Sequence, residues 1–312
     1  MKQVIGYLLD YQRKYFDWKV YLTIALFLGV CIAINYHLNF EDDYIDPYHG
    51  SMWHALWMFL FPAFPFLGVC IILLAFEKVD NWVRNKDFWF RLVLGFGLLG
   101  LDRGFYGLEW IRDYVSRAEF RYLYISLNWA AGIFISVIPF LLVYWLIEKQ
   151  DNPKIWYGLS LKKFDPKPYL IMLLITAVII GLGSFIGDIK NYYPRFLHAS
   201  LDQFLSANDW ERWQAIVFYE LCYGSNFISV ELFFRGYLIY AFSRILGPYV
   251  VLPMVCSYCF LHFGKPLGES ISSIFGGYVL GIISMNSRNI WGGIFIHLGV
   301  AWLMELFGWL QQ

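Results

Sequence analysis

Long apolar stretches separated by short polar connections dominate the chain. The stretches fall at about 18–36, 52–76, 122–147, 169–187, 213–228, 248–263, 271–285 and 290–309. A helix that crosses a bilayer needs about 20 mostly apolar residues, because each adds about 1.5 Å against a hydrocarbon core about 30 Å thick. A shorter run at 88–101 contains Arg91 and suits a tilted span or a re-entrant segment. The stretch 213–242 reads as one long helix, or as two broken at Gly224-Ser225-Asn226. The pattern predicts an all-α fold, a polytopic transmembrane helical bundle with about eight or nine spanning helices.

Composition sharpens this picture. Only 15% of residues are charged, against roughly 25% in a soluble domain, and the charge gathers in the short connections. Net charge is zero, which gives no footprint for nucleic acid. Cys31, Cys70, Cys222, Cys256 and Cys259 all lie in apolar runs, so a disulfide framework is not expected. The run after Trp18 follows Lys2, Arg13 and Lys14 without a small-residue cleavage site, and reads as an uncleaved anchor. The connection 152–168 holds Lys154, Lys162, Lys163 and Lys167, whereas 37–51 holds Glu41, Asp42, Asp43 and Asp46 without lysine or arginine. The positive-inside rule then places the N-terminus in the cytoplasm of a multi-pass cell-membrane protein. Arg103, Arg112, Arg117 and Arg121 run against that assignment.

Ionisable side chains inside spans cost roughly 2.5–3.5 kcal/mol each at the bilayer centre, and so face a bundle interior or a wet cavity. Glu231 and Arg235 are four residues apart and share a helix face, as do Tyr258 and His262. His297 shares a face with Gly293 and Ala301, with Glu305 beyond. Glu220 lies about three turns before Glu231 on nearly the same side. Taken singly, Glu231 with Arg235 reads as a structural ion pair, and each histidine as a packing residue. Two histidines and a carboxylate on three helices point instead to one buried site. Cys256, Cys259 and His262 repeat every three residues, but six residues rotate a helix by about 600°. They do not converge on one metal ion, and the cysteines read as packing residues.

In these motifs the C-terminal half resembles the CPBP intramembrane protease family, which includes the CAAX prenyl proteases and bacteriocin-processing proteins. That family carries Glu-Glu-x-x-x-Arg, Phe-x-x-x-His and His-x-x-x-Asn/Asp on separate membrane helices. The corresponding segments are Val230-Glu231-Leu232-Phe233-Phe234-Arg235, Tyr258-Cys259-Phe260-Leu261-His262 and His297-Leu298-Gly299-Val300-Ala301. The likeness covers about residues 155–310. It implies Glu231, His262 and His297 as catalytic-site residues, supported by Arg235 and Tyr258; Glu269 and Glu305 are further candidate carboxylates that sit at no motif position. It also exposes three departures. Val230 replaces the glutamate that would activate water with the motif-two histidine, Tyr258 replaces an aromatic neighbour, and Ala301 replaces an oxyanion-stabilising amide.

These losses imply a CPBP-type membrane protein with impaired or absent proteolysis and a binding or scaffolding role. The alternative is an active intramembrane endopeptidase in which Glu231 or Glu269 substitutes for the missing base. A transporter or channel running past Glu220, Glu231, Arg235 and the histidines is the third reading. The expected partners are the lipid bilayer and a membrane-embedded protein or peptide, with no nucleic acid. No cofactor is expected. Two histidines and a carboxylate also make a His₂Glu zinc set, but the implied water-activation scheme needs no metal. Residues 1–150 form N-terminal transmembrane helices of unassigned role, and 151–312 the CAAX-protease-like core.

Overall fold

A computed structural model describes residues 1–149, 155–160, 164–185 and 191–312. Lys154, Lys162 and Lys163, which carried the orientation reading, lie outside the described residues, as does part of the 150/151 boundary. All regular structure among the described residues is helical: α1 Lys2–Tyr15, α2 Trp18–Leu38, α3 Phe40–Tyr44, α4 Met52–Ala75, α5 Lys86–Arg103 and α6 Arg117–Glu148. There follow α7 Lys167–Gly183, α8 Arg195–His198, α9 Leu201–Ala207, α10 Arg212–Glu231, α11 Ile239–Leu246, α12 Val251–Phe260, α13 Leu267–Ser287 and α14 Trp291–Leu310.

Helix ends follow local side-chain chemistry. Asp17 and Asn85 accept from the first free amides of α2 and α5, and Ser116 with Glu119 forms a reciprocal capping box at α6. Asn39 and Arg288 end α2 and α13 in the left-handed conformation. Helix α10 passes unbroken through Gly224-Ser225-Asn226 and runs through a wide π turn, Leu232–Leu238, into α11. The break comes instead at Gly247, whose φ of 56° a side chain would resist.

Six segments are long and apolar enough to cross a membrane, with α7 a shorter apolar helix. The estimate of eight or nine counted separately the two helices that meet at Gly247, and also counted α5 and α7. On α2 the buried Val20, Ile24 and Leu28 recur every fourth residue, whereas Leu22, Leu26, Val30 and Ile34 are exposed. Helix α7 exposes Leu170, Leu174, Val178 and Leu182. In water such faces would be a liability; against lipid tails they need no partner.

Helix α4 packs between α5 and α12, α12 lies on α13, and α10 is held between α6 and α14. Phe66, Phe88 and Phe96 from the N-terminal half share a core with Phe233, Tyr237 and Phe242 of the motif-bearing segment. The same contact carries a buried charge cluster. Glu148, 2% exposed, accepts from Arg91 and from Arg244 Nη2 at 3.1 Å, while Arg91 Nε reaches Asp87 at 2.7 Å. Tyr237 donates to the Arg91 carbonyl at 2.7 Å. Removing one partner of a buried pair strands the other. Glu148→Ala is therefore expected to lower stability by about 3–5 kcal/mol, read as a depressed unfolding midpoint in detergent.

Candidate functional site

The three motif helices meet as the spacing predicts. One residue turns a helix by about 100°, so Val230 and Glu231 diverge at the end of α10. Val230 faces a cavity of about 450 Å³, whereas Glu231 is fully buried against α14. Its Oε1 forms an ion pair with Arg235 Nη1 at 2.9 Å and accepts a hydrogen bond from His297 Nδ1 at 3.0 Å. Gly293, one turn before His297, makes this approach feasible, because a Cβ there would collide with the Glu231 carboxylate. Arg235 stacks 4.0 Å above the Tyr258 ring. The Tyr258 hydroxyl lies 3.3 Å from His297 Nε2. With Nδ1–H donating to the carboxylate, Nε2 accepts from tyrosine, and both nitrogens of His297 are engaged.

His262 differs. It sits in the turn after α12, 7% exposed, with Nδ1 3.0 Å from the Tyr258 carbonyl. A carbonyl only accepts, so Nδ1 carries the proton, and Nε2 of the neutral ring keeps a lone pair. His262, His297, Tyr258, Val230 and Asn226 all line the one cavity.

The other sequence-predicted carboxylates are engaged elsewhere. Glu269 pairs with Lys265 and accepts from the Tyr193 hydroxyl at 3.1 Å. Glu305 accepts the Arg195 backbone amide at 2.8 and 2.9 Å, and Glu220 faces it. None of the three lines the histidine cavity, and Ala301 packs with Phe196, Tyr219 and Tyr223. Arg235 holds the Glu231 carboxylate, His297 Nδ1 donates to that same oxygen, and His262 Nδ1 donates to a carbonyl. Cys259 donates to the Ser270 carbonyl at 3.4 Å, a packing role.

Sequence reasoning missed the contribution of the first half. At the end of α2, Asn35 Nδ2 donates to the Phe263 carbonyl at 3.3 Å and Tyr36 donates to the Lys265 carbonyl at 2.7 Å. These groups satisfy carbonyls of the turn that follows α12 and so fix the segment carrying His262. Asn35 Oδ1 accepts the Glu41 amide at 3.1 Å, and the Glu41 carboxylate rests against Gly264, two residues past His262. Glu41, Asp46, His49, His54, Asp102 and Arg103 complete the cavity from the N-terminal side. Burial and the nearby Asp46 and Asp42 push Glu41 up to about 8. The only sequence signal was an acidic loop that looked solvated.

Residues 212–303, from the start of α10 into α14, match the family described as type II CAAX prenyl endopeptidase Rce1-like. No curated protein and no solved structure matches the chain. That match spans all three motif helices, so the segment that carries the site is similar to the CPBP family, which includes the CAAX prenyl proteases.

Proposed function

We propose that the chain is a multi-pass membrane protein whose polar chamber binds a segment of a membrane-embedded peptide or protein, with the glutamate-dependent cleavage of its family impaired or lost. One observation carries the reading: the chamber wall beside the two histidines is Val230, where the family motif places a carboxylate. Valine takes no proton. The neighbouring Glu231 does not replace it, because it is committed to Arg235 and His297. A general base contributes about 10²–10⁴-fold and an oxyanion donor about 10²–10³-fold. Val230 and Ala301 forgo both. Glu269 and Glu305, engaged outside the chamber, restore neither. What persists is a buried, shaped space with polar walls, suited to holding a peptide backbone.

A second reading, hydrolysis with a substitute carboxylate, is favoured by Glu41. Its Oε2 is buried without a hydrogen-bond partner among the described residues, and it lines the same cavity as the open nitrogen of His262. We further propose a cytoplasmic N-terminus, on the positive-inside reading, with Glu41 and the turn bearing His262 towards the outside. Three of the four arginines that opposed this orientation have local engagements. Arg103 lines the chamber, Arg112 pairs with Glu109 at 2.9 Å, and Arg121 Nη2 lies 3.5 Å from the His198 carbonyl.

Two measurements test these statements. In proteoliposomes carrying labelled transmembrane peptides, the unchanged chain should cleave no faster than empty vesicles. The double variant Val230→Glu/Ala301→Asn should gain at least about 10²-fold, and adding His262→Ala should remove the gain. Cleavage by the unchanged chain that vanishes in His262→Ala would replace binding with hydrolysis. For orientation, cysteine introduced at Asp43 should react with an impermeant maleimide on intact cells, and cysteine at Gln3 only after lysis. The reverse pattern would invert the topology.

A further inference from the structure

A second cluster of chemistry-bearing side chains sits in the N-terminal wall of the chamber, outside the family motifs. Oxygens of Glu41, Asp42 and Asp46 lie within 4.8 Å of one another. Like charges packed so closely repel unless something neutralises them. No lysine or arginine pairs with any of the three among the described residues.

An acidic cluster on its own would prove little. Here an independent group points at it. His54, at the start of α4, is 4% exposed; the Arg103 backbone lies near its ring, but neither ring nitrogen makes a hydrogen bond of good geometry. Its Nε2 lies 4.0 Å from Asp46 Oδ1, too long for a hydrogen bond and close to the spacing of two ligands on one ion. The His49 ring lies 4.9 Å from that of His54. On the other side, Glu41 Oε2 is also buried without a partner. Buried imidazole nitrogens and carboxylate oxygens left unbonded are costly, and one positive ion would satisfy both.

We propose that Glu41, Asp46 and His54 form a binding site for a divalent transition-metal cation, with Asp42 adding negative charge and His49 within reach as a further ligand. The donor set decides the class. Calcium and magnesium take oxygen ligands almost throughout, whereas imidazole with carboxylate suits zinc, cobalt, manganese or iron. Zinc–nitrogen and zinc–oxygen bonds of about 2.0–2.2 Å put tetrahedral ligand atoms about 3.4 Å apart. Asp46 links the set, within 4.8 Å of Glu41 and 4.0 Å from His54, so binding an ion requires Glu41 and His54 to draw in towards Asp46, which sits in a three-residue 3-10 turn beside the five-residue helix that carries Glu41. The ion would tie the connection between α2 and α4 to the cavity wall, at a site separate from the Glu231–His297 pair.

The test uses the full chain, purified in detergent and stripped with chelator. Equilibrium dialysis against Zn²⁺ with metal analysis should give about one ion per chain, and Co²⁺ should give the visible absorption of a site with nitrogen ligation. His54→Ala and the double variant Glu41→Gln/Asp46→Asn should each weaken Zn²⁺ at least tenfold, while His262→Ala and His297→Ala leave it unchanged. Should His54→Ala fail to fold, the competition of Ca²⁺ for the unchanged chain decides: excess Ca²⁺ should not displace Zn²⁺. Absence of bound Zn²⁺, displacement by Ca²⁺, or loss of binding in His262→Ala with retention in His54→Ala would each overturn the proposal. None of these readouts depends on cleavage, so the cation site and the chamber's proposed binding role fail separately.

Discussion

A carboxylate buried among apolar helices needs a cation and donors at once, and the Glu231 side chain sets that requirement for the C-terminal half. Glu231 is 0% exposed and Arg235 1%, so neither borrows stabilisation from water, and their pairing must offset desolvation of both. Arg235 is steadied by the Tyr258 ring and His297 by the Tyr258 hydroxyl. One tyrosine therefore braces both partners of the carboxylate. Glycine at 293 is the geometric condition, since any side chain there would displace the acid. The π turn that begins directly after Glu231 widens the helix where Arg235 must reach back.

This constraint separates the two histidines in what they can do. His297 has both nitrogens committed, one to Glu231 and one to Tyr258, and acts as a fixed part of the wall. His262 has one nitrogen committed and one open. Of these two imidazoles, only His262 therefore keeps a nitrogen for proton exchange with a bound molecule. Its position depends on Asn35 and Tyr36, side chains more than two hundred residues away in the chain. The N-terminal helices thus position part of the chamber as well as occupying lipid.

The membrane bundle and the Glu231–Arg235–His297 contact were legible from the sequence because both rest on local rules. Apolar runs of spanning length identify helices, and i,i+4 spacing identifies a shared face. The cost of charge in lipid then forces polar faces together. The failures came where a partner was distant or the backbone departed from regular geometry. Gly247 gives no sign in an apolar run that it will adopt positive φ. Glu269 had an i−4 lysine in Lys265 and could have been set aside as locally paired, but Glu305 is satisfied by a backbone amide at Arg195 that no spacing rule suggests. Glu41 and His54 were overlooked because an acidic, histidine-bearing loop between spans looks like any solvated connection.

The chamber stands open with an apolar Val230 in its wall, and the reason lies in which residues hold it open. Its walls are set by α10 against α6 and α14, by α4 against α12, and by the α2 side chains bound to the turn after α12. Position 230 contributes surface to the cavity but no hydrogen bond to its frame. The frame can therefore persist while the chemistry at 230 drifts, whereas position 231 cannot drift without stranding Arg235. A valine at 230 beside a glutamate at 231 accords with their different places in the packing. It leaves a cavity whose remaining open polar groups, His262 on one side and Glu41 with His54 on the other, come from opposite halves of the chain.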